Sequence, residues 1–541
     1  MRARTTLSVA MAAVGTALLV AALAPTAFGG GSANASRQLR LNASDTGIEF
    51  VDPALNYDFI GWRLAYLANA RLLSYPDKPG AAGARLVPEV AKAMPRVSKN
   101  GREYTFVVRR NFRFSDGRRV TPRSFVRAIE RALSPKMQSP ASTFVSDIAG
   151  ADPVKAGKRT TPSGVIVKGD KLIIRLSRPA PDFLSRIAMV FFSAVPEDLP
   201  LDPSGVKTPP SAGPYYYAEY TGNKAPILLK RNPYYGGTRP QRWTSIVLNQ
   251  GVAAQTSYLQ VRRGEIDLDM AGLPPAAHTE LTKTYGINKG RYFVNPGLVI
   301  QYIALNTSRP LFRDLKARQA VAYAINRSFL MKAAGLNGGV PNDQLLPPGL
   351  PGYKPFTMYP NTPDVAKAKQ LMGGRTAKAI LYAGNDPISE AQSQIIRTNL
   401  KAIGIDVTVK NFSFSVQINK AGTRGEPFDM NLIGWFADYP DPYDFINILL
   451  YGKNIAKANN VNTAYFNDPV FNRRMEQAQL TPGGDARLAA YAQLDRDLTR
   501  AAPFVVYGNS TVREFVSSSI GCPMYSVPSG GLNLAMLCRK K

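Results

Sequence analysis

The sequence predicts an α/β to α+β protein of two or three domains. Segments typical of strands and of helices alternate along the chain, and the second half contains a β-α-β series, KAILYAG, EAQSQIIRTNLKAIG and IDVTVKNF. At 541 residues the chain is longer than one ordinary hydrophobic core supports. Its composition, 45% hydrophobic and 19% charged, is typical of a globular protein rather than a disordered one.

The first 35 residues predict an export signal. Arg2 and Arg4 precede an apolar run, Leu7 to Leu23, and Ala33-Asn34-Ala35 fits a cleavage site, so the mature chain should begin near Ser36. The alternative is an uncleaved membrane anchor, for which the run is slightly short of the roughly 20 residues of a membrane span. The segment contains no cysteine. We therefore expect an exported protein, periplasmic or on the outer face of the cytoplasmic membrane, that is not a cysteine-linked lipoprotein.

Local signals place several elements along the chain. Residues 104–109 read as a strand, and Asp116-Gly117 reads as a turn. Thr121 is a suitable N-cap for a following helix with Pro122 at its first position. The segment LKARQAVAYAINRSFLMKAAG predicts one helix that ends at Gly335.

The charge and the cysteines narrow the class of protein further. The formal net charge is +29, but the basic residues are scattered and no nucleic-acid-binding signature is present, so attraction to an anionic membrane or cell-envelope surface explains the charge better than nucleic acid does. Cys522 and Cys538 predict one disulfide at the C-terminus, worth roughly 3 kcal/mol in the chain-entropy model, with two free thiols as the alternative. Two cysteines and the distant His278 do not form a metal ligand set.

Catalytic patterns are absent from the sequence. The single histidine, His278, has polar, helix-forming neighbours, so we expect it to be exposed. One S-x-x-K sequence, Ser204–Lys207, contains glycine and precedes prolines, which makes the required helix improbable. The carboxylates Glu265, Asp267 and Asp269 alternate as on the solvated face of a strand. We expect no enzyme, no cofactor and no metal.

Several blocks of the sequence, taken in order, carry a resemblance to a known family. They are LVPEVAKAMPRVSKNGREYTFVVRRNFRFSDGRRVTPRSFVRAIERAL, LKRNPYYGG, VRRGEIDLDMAG, YIALNTSRPLFRDLKARQAVAYAINRS, LKAIGIDVTVKNF and GWFADYPDPYDF. Together they resemble the oligopeptide- and dipeptide-binding proteins of ABC importers, extracellular solute-binding family 5. The resemblance runs from about residue 40 to residue 510.

This resemblance implies a two-lobed periplasmic-binding-protein type II fold with an additional inserted N-terminal domain. The implied division is a signal peptide at 1–35, a discontinuous lobe I at 36–60, 195–296 and 503–541, an inserted domain at 61–194, and lobe II at 297–502. The lobes would close on a peptide by a hinge motion and deliver it to a membrane permease. We expect a monomer.

The resemblance also implies the ligand-binding residues. Asp438 matches the position that pairs with a peptide's α-ammonium, and the backbone of Gly434, Trp435 and Phe436 would add the ligand as an extra strand. Trp435 could equally be a core residue at a strand end. Across the cleft, the candidates are three aromatic residues of the segment ALNYDFIGW: Tyr57, Phe59 and Trp62.

The same segment contains two further acids with structural interpretations, and it leaves other functions open. Asp441 and Asp444 read as turn and helix-capping residues. Some peptide binders of the family have a disulfide-bonded cysteine after the tryptophan, whereas this chain has Phe436 there. The alternatives to a peptide receptor are the same fold with a non-peptide ligand, such as an oligosaccharide or another small amphiphile, and a secreted hydrolase that uses a carboxylate pair such as Asp438 and Asp441.

Overall fold

The structure, a computed structural model of the chain, describes residues 37–43, 48–481 and 484–540. The predicted export signal at 1–35 lies outside these residues. The strands are β1 Gln38–Ala43, β2 Leu73–Ser74, β3 Val87–Pro88, β4 Arg96–Val97, β5 Glu103–Val107, β6 Val165–Lys168, β7 Lys171–Arg175, β8 Tyr215–Glu219, β9 Ile227–Arg231, β10 Ser245–Asn249, β11 Leu268–Met270, β12 Tyr292–Pro296, β13 Val299–Leu305, β14 Gly339–Pro341, β15 Ala377–Gly384, β16 Ile405–Phe412, β17 Met430–Phe436, β18 Phe504–Phe515, β19 Ile520–Gly521, β20 Tyr525–Ser526, β21 Gly531–Leu532 and β22 Cys538–Arg539.

Helices connect these strands and cover the sheets. They are α1 Phe59–Ala68, α2 Gly80–Gly83, α3 Pro122–Leu133, α4 Ala151–Lys155, α5 Phe183–Ile187, α6 Ala254–Arg263, α7 Ala277–Tyr285, α8 Pro310–Arg313, α9 Leu315–Ala324, α10 Arg327–Ala333, α11 Val365–Met372, α12 Pro387–Lys401, α13 Phe414–Ala421, α14 Pro442–Leu450, α15 Pro469–Leu480 and α16 Gly484–Ala501. Short 3-10 turns span Pro140–Val145, Val190–Phe192 and Gly452–Asn454. Among the residues that the structure describes, no helix combines the length and the apolar character that a membrane span requires.

Two mixed sheets contain most of the strands. One has the order β11-β1-β10-β9-β8, with β1 parallel to both of its neighbours. The other has the order β12-β18-β13-β17-β15-β16, and β14 also pairs with β18. The long strand β18 pairs with β13 through its first half and with β12 through its second half. Strand β18 therefore joins the edge strand β12 to the rest of this sheet.

A third sheet, with the order β4-β5-β7-β6, lies between β1 and β8 in the sequence. Alternate residues of its strands, including Tyr104, Phe106 and Leu172, are buried in the same core as Phe125 and Ile129 of α3. The apolar residues that alternate along these strands thus pack in one hydrophobic core with the apolar residues at helical spacing on α3.

Of the predictions made from local sequence signals, the cap at Thr121 and the β-α-β series are confirmed, and one long helix is wrong. Thr121 caps α3 with a complete capping box, and Pro122 occupies the first helical position, as predicted. The β-α-β series is confirmed as β15, α12 and β16, with the two strands parallel. The single helix predicted to end at Gly335 is wrong, because the chain leaves helical geometry at Ile325 and the side chain of Asn326 accepts a hydrogen bond from the Phe329 backbone, which starts α10.

Candidate functional site

The site begins where β17 ends and the chain turns into α14. The turn contains Pro440, and Pro442 takes the first position of α14, where its missing N–H costs no hydrogen bond. Asp441 is the N-cap of α14, because its side chain accepts a hydrogen bond from the Tyr443 backbone. The capping role predicted for Asp441 is therefore confirmed. The prolines and the cap belong to the turn that follows Asp438.

Asp438 is a half-buried carboxylate without a cationic partner among the described residues. Its Oδ1 accepts a hydrogen bond of 2.7 Å from the hydroxyl of Tyr57, which lies 381 positions away in the sequence. Burial raises the pKa of Asp438 to about 7, and the hydrogen bond from Tyr57 opposes this shift. The structure thus joins two residues that the sequence predicted for one ligand site.

Asp444 lies directly behind Asp438 and is fully buried. Its Oδ2 accepts hydrogen bonds from the Trp435 indole (3.1 Å) and from the backbone N–H of Asp438 (3.0 Å), while its Oδ1 has no hydrogen-bond partner. Burial, and then the nearby Asp438 carboxylate, raise the pKa of Asp444 well above its ordinary value. The predicted capping role is wrong for Asp444, which lies within α14 and holds two groups of the preceding strand end.

Asp441 has a different electrostatic environment. Its two oxygens bind the guanidinium of Arg487 on α16 at 2.9 and 2.7 Å. Both side chains are largely buried. The carboxylate pair that a hydrolase would need, Asp438 and Asp441, therefore contains one acid already held by an arginine.

A narrow pocket opens beside Asp438. Its cavity volume is about 50 Å³. Most of its lining is aromatic or aliphatic, with a few polar groups: Trp62, Tyr66, Arg71, Tyr75, Ser185, Ala188, Met189, Val190, Asp438, Tyr439, Pro440, Ser526, Pro528 and Ser529. Residues far apart in the sequence form its walls, which is typical of ligand sites.

Of the predicted aromatic residues, Trp62 lines this pocket, whereas Phe59 and Phe436 contact each other beside it. Their rings meet edge to face with centroids 5.0 Å apart. Gly530 lies against both rings at a positive φ of 61°, and a Cβ there would come within 2.6 Å of each ring. Only glycine therefore fits where the C-terminal tail crosses this aromatic pair.

Trp435 and Gly434 have structural partners of their own. Trp435 packs against the core that includes Phe445 and Leu449 of α14, and it does not line the pocket. A Cβ at Gly434 would come within 2.7 Å of the Gln301 side-chain amide on the neighbouring strand. Both positions thus shape the end of β17.

One edge of β17 remains without a partner strand in the described residues. Strand β13 pairs with β17 over its full length, whereas β15 pairs with it only at Met430 and Asn431. On that second side, the Leu432 carbonyl accepts a hydrogen bond from Gln417. The segment from Ile433 to Phe436, which leads directly to Asp438, therefore has backbone groups available for an extended ligand.

The C-terminal tail forms another wall of the pocket. A disulfide joins Cys522 and Cys538, as predicted, with Cα atoms 5.5 Å apart. Between the two cysteines, β20 and β21 form a two-stranded sheet, and the connecting segment supplies Ser526, Pro528 and Ser529 to the pocket. The disulfide thus closes the loop that carries these lining residues.

The histidine and the S-x-x-K sequence do not form catalytic groups here. His278 is buried rather than exposed, because α7 packs it against β12, where its Nδ1 lies 2.9 Å from the Tyr292 hydroxyl. Burial lowers its pKa to about 4. Ser204–Lys207 lie in turns outside the helices. In the part of the chain that the structure describes, no cluster of three or more His, Cys, Asp or Glu residues is placed to hold a metal.

Sequence reasoning missed several residues of this site. Arg71, Tyr75 and Met189 line the pocket, and Asp182 accepts a hydrogen bond of 3.0 Å from the hydroxyl of Tyr439. No short motif marks them. Only the contacts between distant segments bring them beside Asp438.

The fold and the pocket together define an α/β solute-binding protein, and the comparisons with known proteins give the family. The model of the bacterial extracellular solute-binding proteins, family 5 Middle, matches residues 85–457. This span exceeds half of the chain, so the chain belongs to that family, and the resemblance read from the sequence is confirmed. Members of the family bind solutes rather than transform them.

Individual relatives agree with this assignment. The periplasmic oligopeptide-binding protein OppA of Escherichia coli (strain K12) is 26% identical over 432 residues, which cover 75% of this chain and 76% of that protein. The solved structure of clavulanic acid biosynthesis oligopeptide binding protein 2 matches with a TM-score of 0.85 and 23% identity, over 93% of this chain and 95% of that one. The Haemophilus influenzae OppA complex with RPPGFSPFR matches with a TM-score of 0.71 and 20% identity, over 94% and 99%. The fold is the predicted two-lobed periplasmic-binding-protein type II fold with an inserted N-terminal domain.

Proposed function

We propose that the protein is the extracytoplasmic receptor of an ABC importer and that it captures peptides with a free amino terminus. One observation carries the proposal: Asp438 is a half-buried carboxylate with a hydroxyl partner, Tyr57, but no cationic partner among the described residues. An α-ammonium supplies the missing positive charge, and charge-assisted hydrogen bonds are stronger than neutral ones in a partly desolvated site. The names of the relatives, which describe oligopeptide binding, support the peptide as ligand.

The peptide backbone lies along the open edge of β17 in this proposal. Residues Ile433 to Phe436 end two positions before Asp438, so a strand added there brings its amino terminus to the carboxylate. Main-chain hydrogen bonds tolerate varied side chains, which suits a receptor for many peptides. Phe59 and Phe436 contribute apolar surface beside that edge.

Closure of two lobes traps the ligand. We assign lobe I to 36–60, 195–296 and 503–541, the inserted domain to 61–194 and lobe II to 297–502. The sheet order supports most of this division, since β1 and β8 to β11 share one sheet and β13 to β17 belong to another. Strands β12 and β18, which the division assigns to lobe I, pair with the second sheet. Strand β18 pairs with both β12 and β13, so the hinge lies along β18.

The receptor works outside the cytoplasmic membrane and delivers its ligand to a membrane permease. Residues 1–35 act as the export signal, and the chain does not depend on a cysteine-linked lipid. The formal net charge of +29 attracts the protein to an anionic membrane or cell-envelope surface. The protein functions as a monomer and as a receptor rather than an enzyme. The ion pair of Asp441 with Arg487 argues against the one hydrolytic pair considered, Asp438 and Asp441.

Thermal unfolding with peptides tests the function. A tripeptide with a free amine should raise the melting temperature of the native protein, because it binds the folded state. Asp438→Asn should weaken its binding by about ten-fold or more, since it removes a charge-assisted hydrogen bond. Glu265→Gln, which removes an exposed carboxylate elsewhere, is the control and should bind as the unchanged protein does.

The same experiment distinguishes the other ligands. If an N-acetylated tripeptide binds as well as the free-amine peptide and is insensitive to Asp438→Asn, a free amine is not required. If an oligosaccharide binds more tightly than either peptide, the ligand is not a peptide. An equal affinity of the Asn variant for the free-amine peptide would remove Asp438 from the ammonium site.

A further inference from the structure

The pocket beside Asp438 also contains a buried cation, Arg71. Its side chain is 6% exposed, although it lines the pocket. Its Nη1 donates a hydrogen bond of 3.1 Å to the carbonyl of Ala188, which is itself a lining residue. Its guanidinium lies 5.1 Å from the ring centroid of Tyr66, a further lining residue. The arginine is therefore held at the pocket wall by its neighbours.

The positive charge of Arg71 is only partly balanced inside the protein. Its nearest carboxylate is Glu89, at 3.8 Å from Nε, and Nε has no hydrogen-bond partner. Glu89 binds Arg239 much more closely, at 2.6 Å. Arg239 lines a separate surface pocket together with Glu89, and its guanidinium also lies over the Tyr66 ring, 4.8 Å from the centroid. Two arginines thus share one carboxylate, and the more distant one faces the pocket of Asp438.

The pocket therefore has opposite charges in its lining: the Asp438 carboxylate and the Arg71 guanidinium. Aromatic and aliphatic side chains surround both, so the local dielectric is low and each charge interacts strongly with a ligand. The cavity beside them is small, with a volume of about 50 Å³. This is room for a few waters or for one small polar group.

We propose that this pocket selects ligands that carry a carboxylate close to their free ammonium, with the carboxylate bound by Arg71. The ammonium binds Asp438, so the inference rests on the proposed function. Two ligands have this chemistry: a peptide whose first side chain is Asp or Glu, and a free amino acid that presents its own α-carboxylate. A guanidinium suits this role because its planar N–H groups match a carboxylate.

The preference for an acidic first side chain can be tested directly, because Arg71 attracts such a side chain and Asp438 repels it. Without Arg71, an acidic first side chain would lie near the Asp438 carboxylate and be repelled by its charge. An acidic preference therefore requires a local cation. Isothermal titration should show that Asp-Ala-Ala binds the native protein about ten-fold more tightly than Asn-Ala-Ala, which has nearly the same shape. Glu-Ala-Ala and Met-Ala-Ala provide a second pair with a longer side chain.

Variants assign the preference to one arginine. Arg71→Met should bring the affinities of the acidic and neutral peptides to within about two-fold or reverse their order. Arg110→Met, which removes an exposed arginine outside the pocket, is the matched control and should leave the preference intact. The comparison of peptides on the native protein needs no variant, so a misfolded Arg71→Met protein does not prevent the test.

The outcomes separate this inference from the proposed function. Equal binding of Asp-Ala-Ala and Asn-Ala-Ala, with both lost in Asp438→Asn, would overturn the role of Arg71 and keep the peptide receptor. No binding of any free-amine peptide would overturn the receptor itself. Free aspartate or leucine that binds as tightly as the tripeptides, and depends on Arg71, would support the carboxylate site and assign it to the α-carboxylate.

Discussion

Asp438 and Asp441 are the same residue type, three positions apart, yet the protein treats them differently. Asp441 caps α14 and binds both arms of the Arg487 guanidinium. Asp438 has a tyrosine hydroxyl and no cation in the described part of the chain. A buried charge without a countercharge is unfavourable, so it gains more from an external cation than a paired one does. The paired acid therefore supports the structure, and the unpaired acid is available for a ligand.

Asp444 completes the comparison. It is more deeply buried than Asp438, its Oδ1 has no partner, and its pKa is raised well above the ordinary value. Two adjacent carboxylates resist simultaneous ionisation, so the Asp438 carboxylate adds to the effect of burial in raising the pKa of Asp444. The three acids thus divide into a paired ion, an acid available to a ligand and a buried acid whose neutral form is favoured.

Among these substitutions, removing Arg487, the partner of Asp441, should have the largest effect on stability. Arg487→Met leaves Asp441 buried without its cation, and breaking a buried ion pair in this way costs about 3–5 kcal/mol. Urea unfolding of the variant measures this loss. The double variant Arg487→Met/Asp441→Asn should recover part of it, because the uncompensated charge is gone. A single variant within about 1 kcal/mol of the unchanged protein would contradict the structural role.

Asp438, the acid without a cationic partner among the described residues, should make the free energy of unfolding depend on pH in the opposite direction from a paired acid. The pKa of Asp438 is about 7 in the folded protein and near 3.9 in an unfolded chain, so the folded state binds more protons between these values. Its contribution to stability is greatest below pH 4 and is lost as the pH rises to 7. Because Asp438 is only half buried, we expect a loss on the order of 2 kcal/mol.

Urea unfolding at pH 4.5 and pH 7.5 gives the free energy of unfolding of the unchanged protein and of Asp438→Asn. The difference between the two proteins at each pH cancels the contributions of other groups. The Asn variant should gain stability relative to the unchanged protein as the pH rises. Peptide binding should show the converse, with affinity decreasing below pH 7 as Asp438 becomes protonated. A pH-independent difference between the two proteins would argue against the raised pKa.

The sequence predicts elements well where the determining contacts are local. The cap at Thr121 and the β-α-β series from Ala377 to Phe412 depend on residues within one or two turns of each other. The predicted long helix was wrong because Asn326 can bond the backbone of Phe329, an alternative that competes with continued helix.

Predictions of exposure were wrong where a distant segment covers the residue. Asp267 and Asp269 read as a solvated face, yet both are buried, and Asp267 binds Arg40 and Arg539 from the two ends of the described chain. His278 is buried by β12 in the same way. The resemblance located Asp438 and Tyr57, whose contact no spacing reveals. The charge of Arg71 in the pocket depends on Glu89 binding a different arginine more closely, which only the fold determines.

The substitution with the smallest expected effect on peptide affinity is Asp444→Asn. Because burial favours the neutral form of Asp444, Asp444→Asn is a conservative replacement and keeps an oxygen for the Trp435 indole and the Asp438 backbone. Peptide affinity at pH 7.5, measured by titration calorimetry, should change by less than about three-fold, whereas Asp444→Leu removes both hydrogen bonds and should weaken binding by about ten-fold. If Asp444→Asn weakens binding as strongly as Asp438→Asn, Asp444 carries charge in the site, and the separation of the three acids into different roles is wrong.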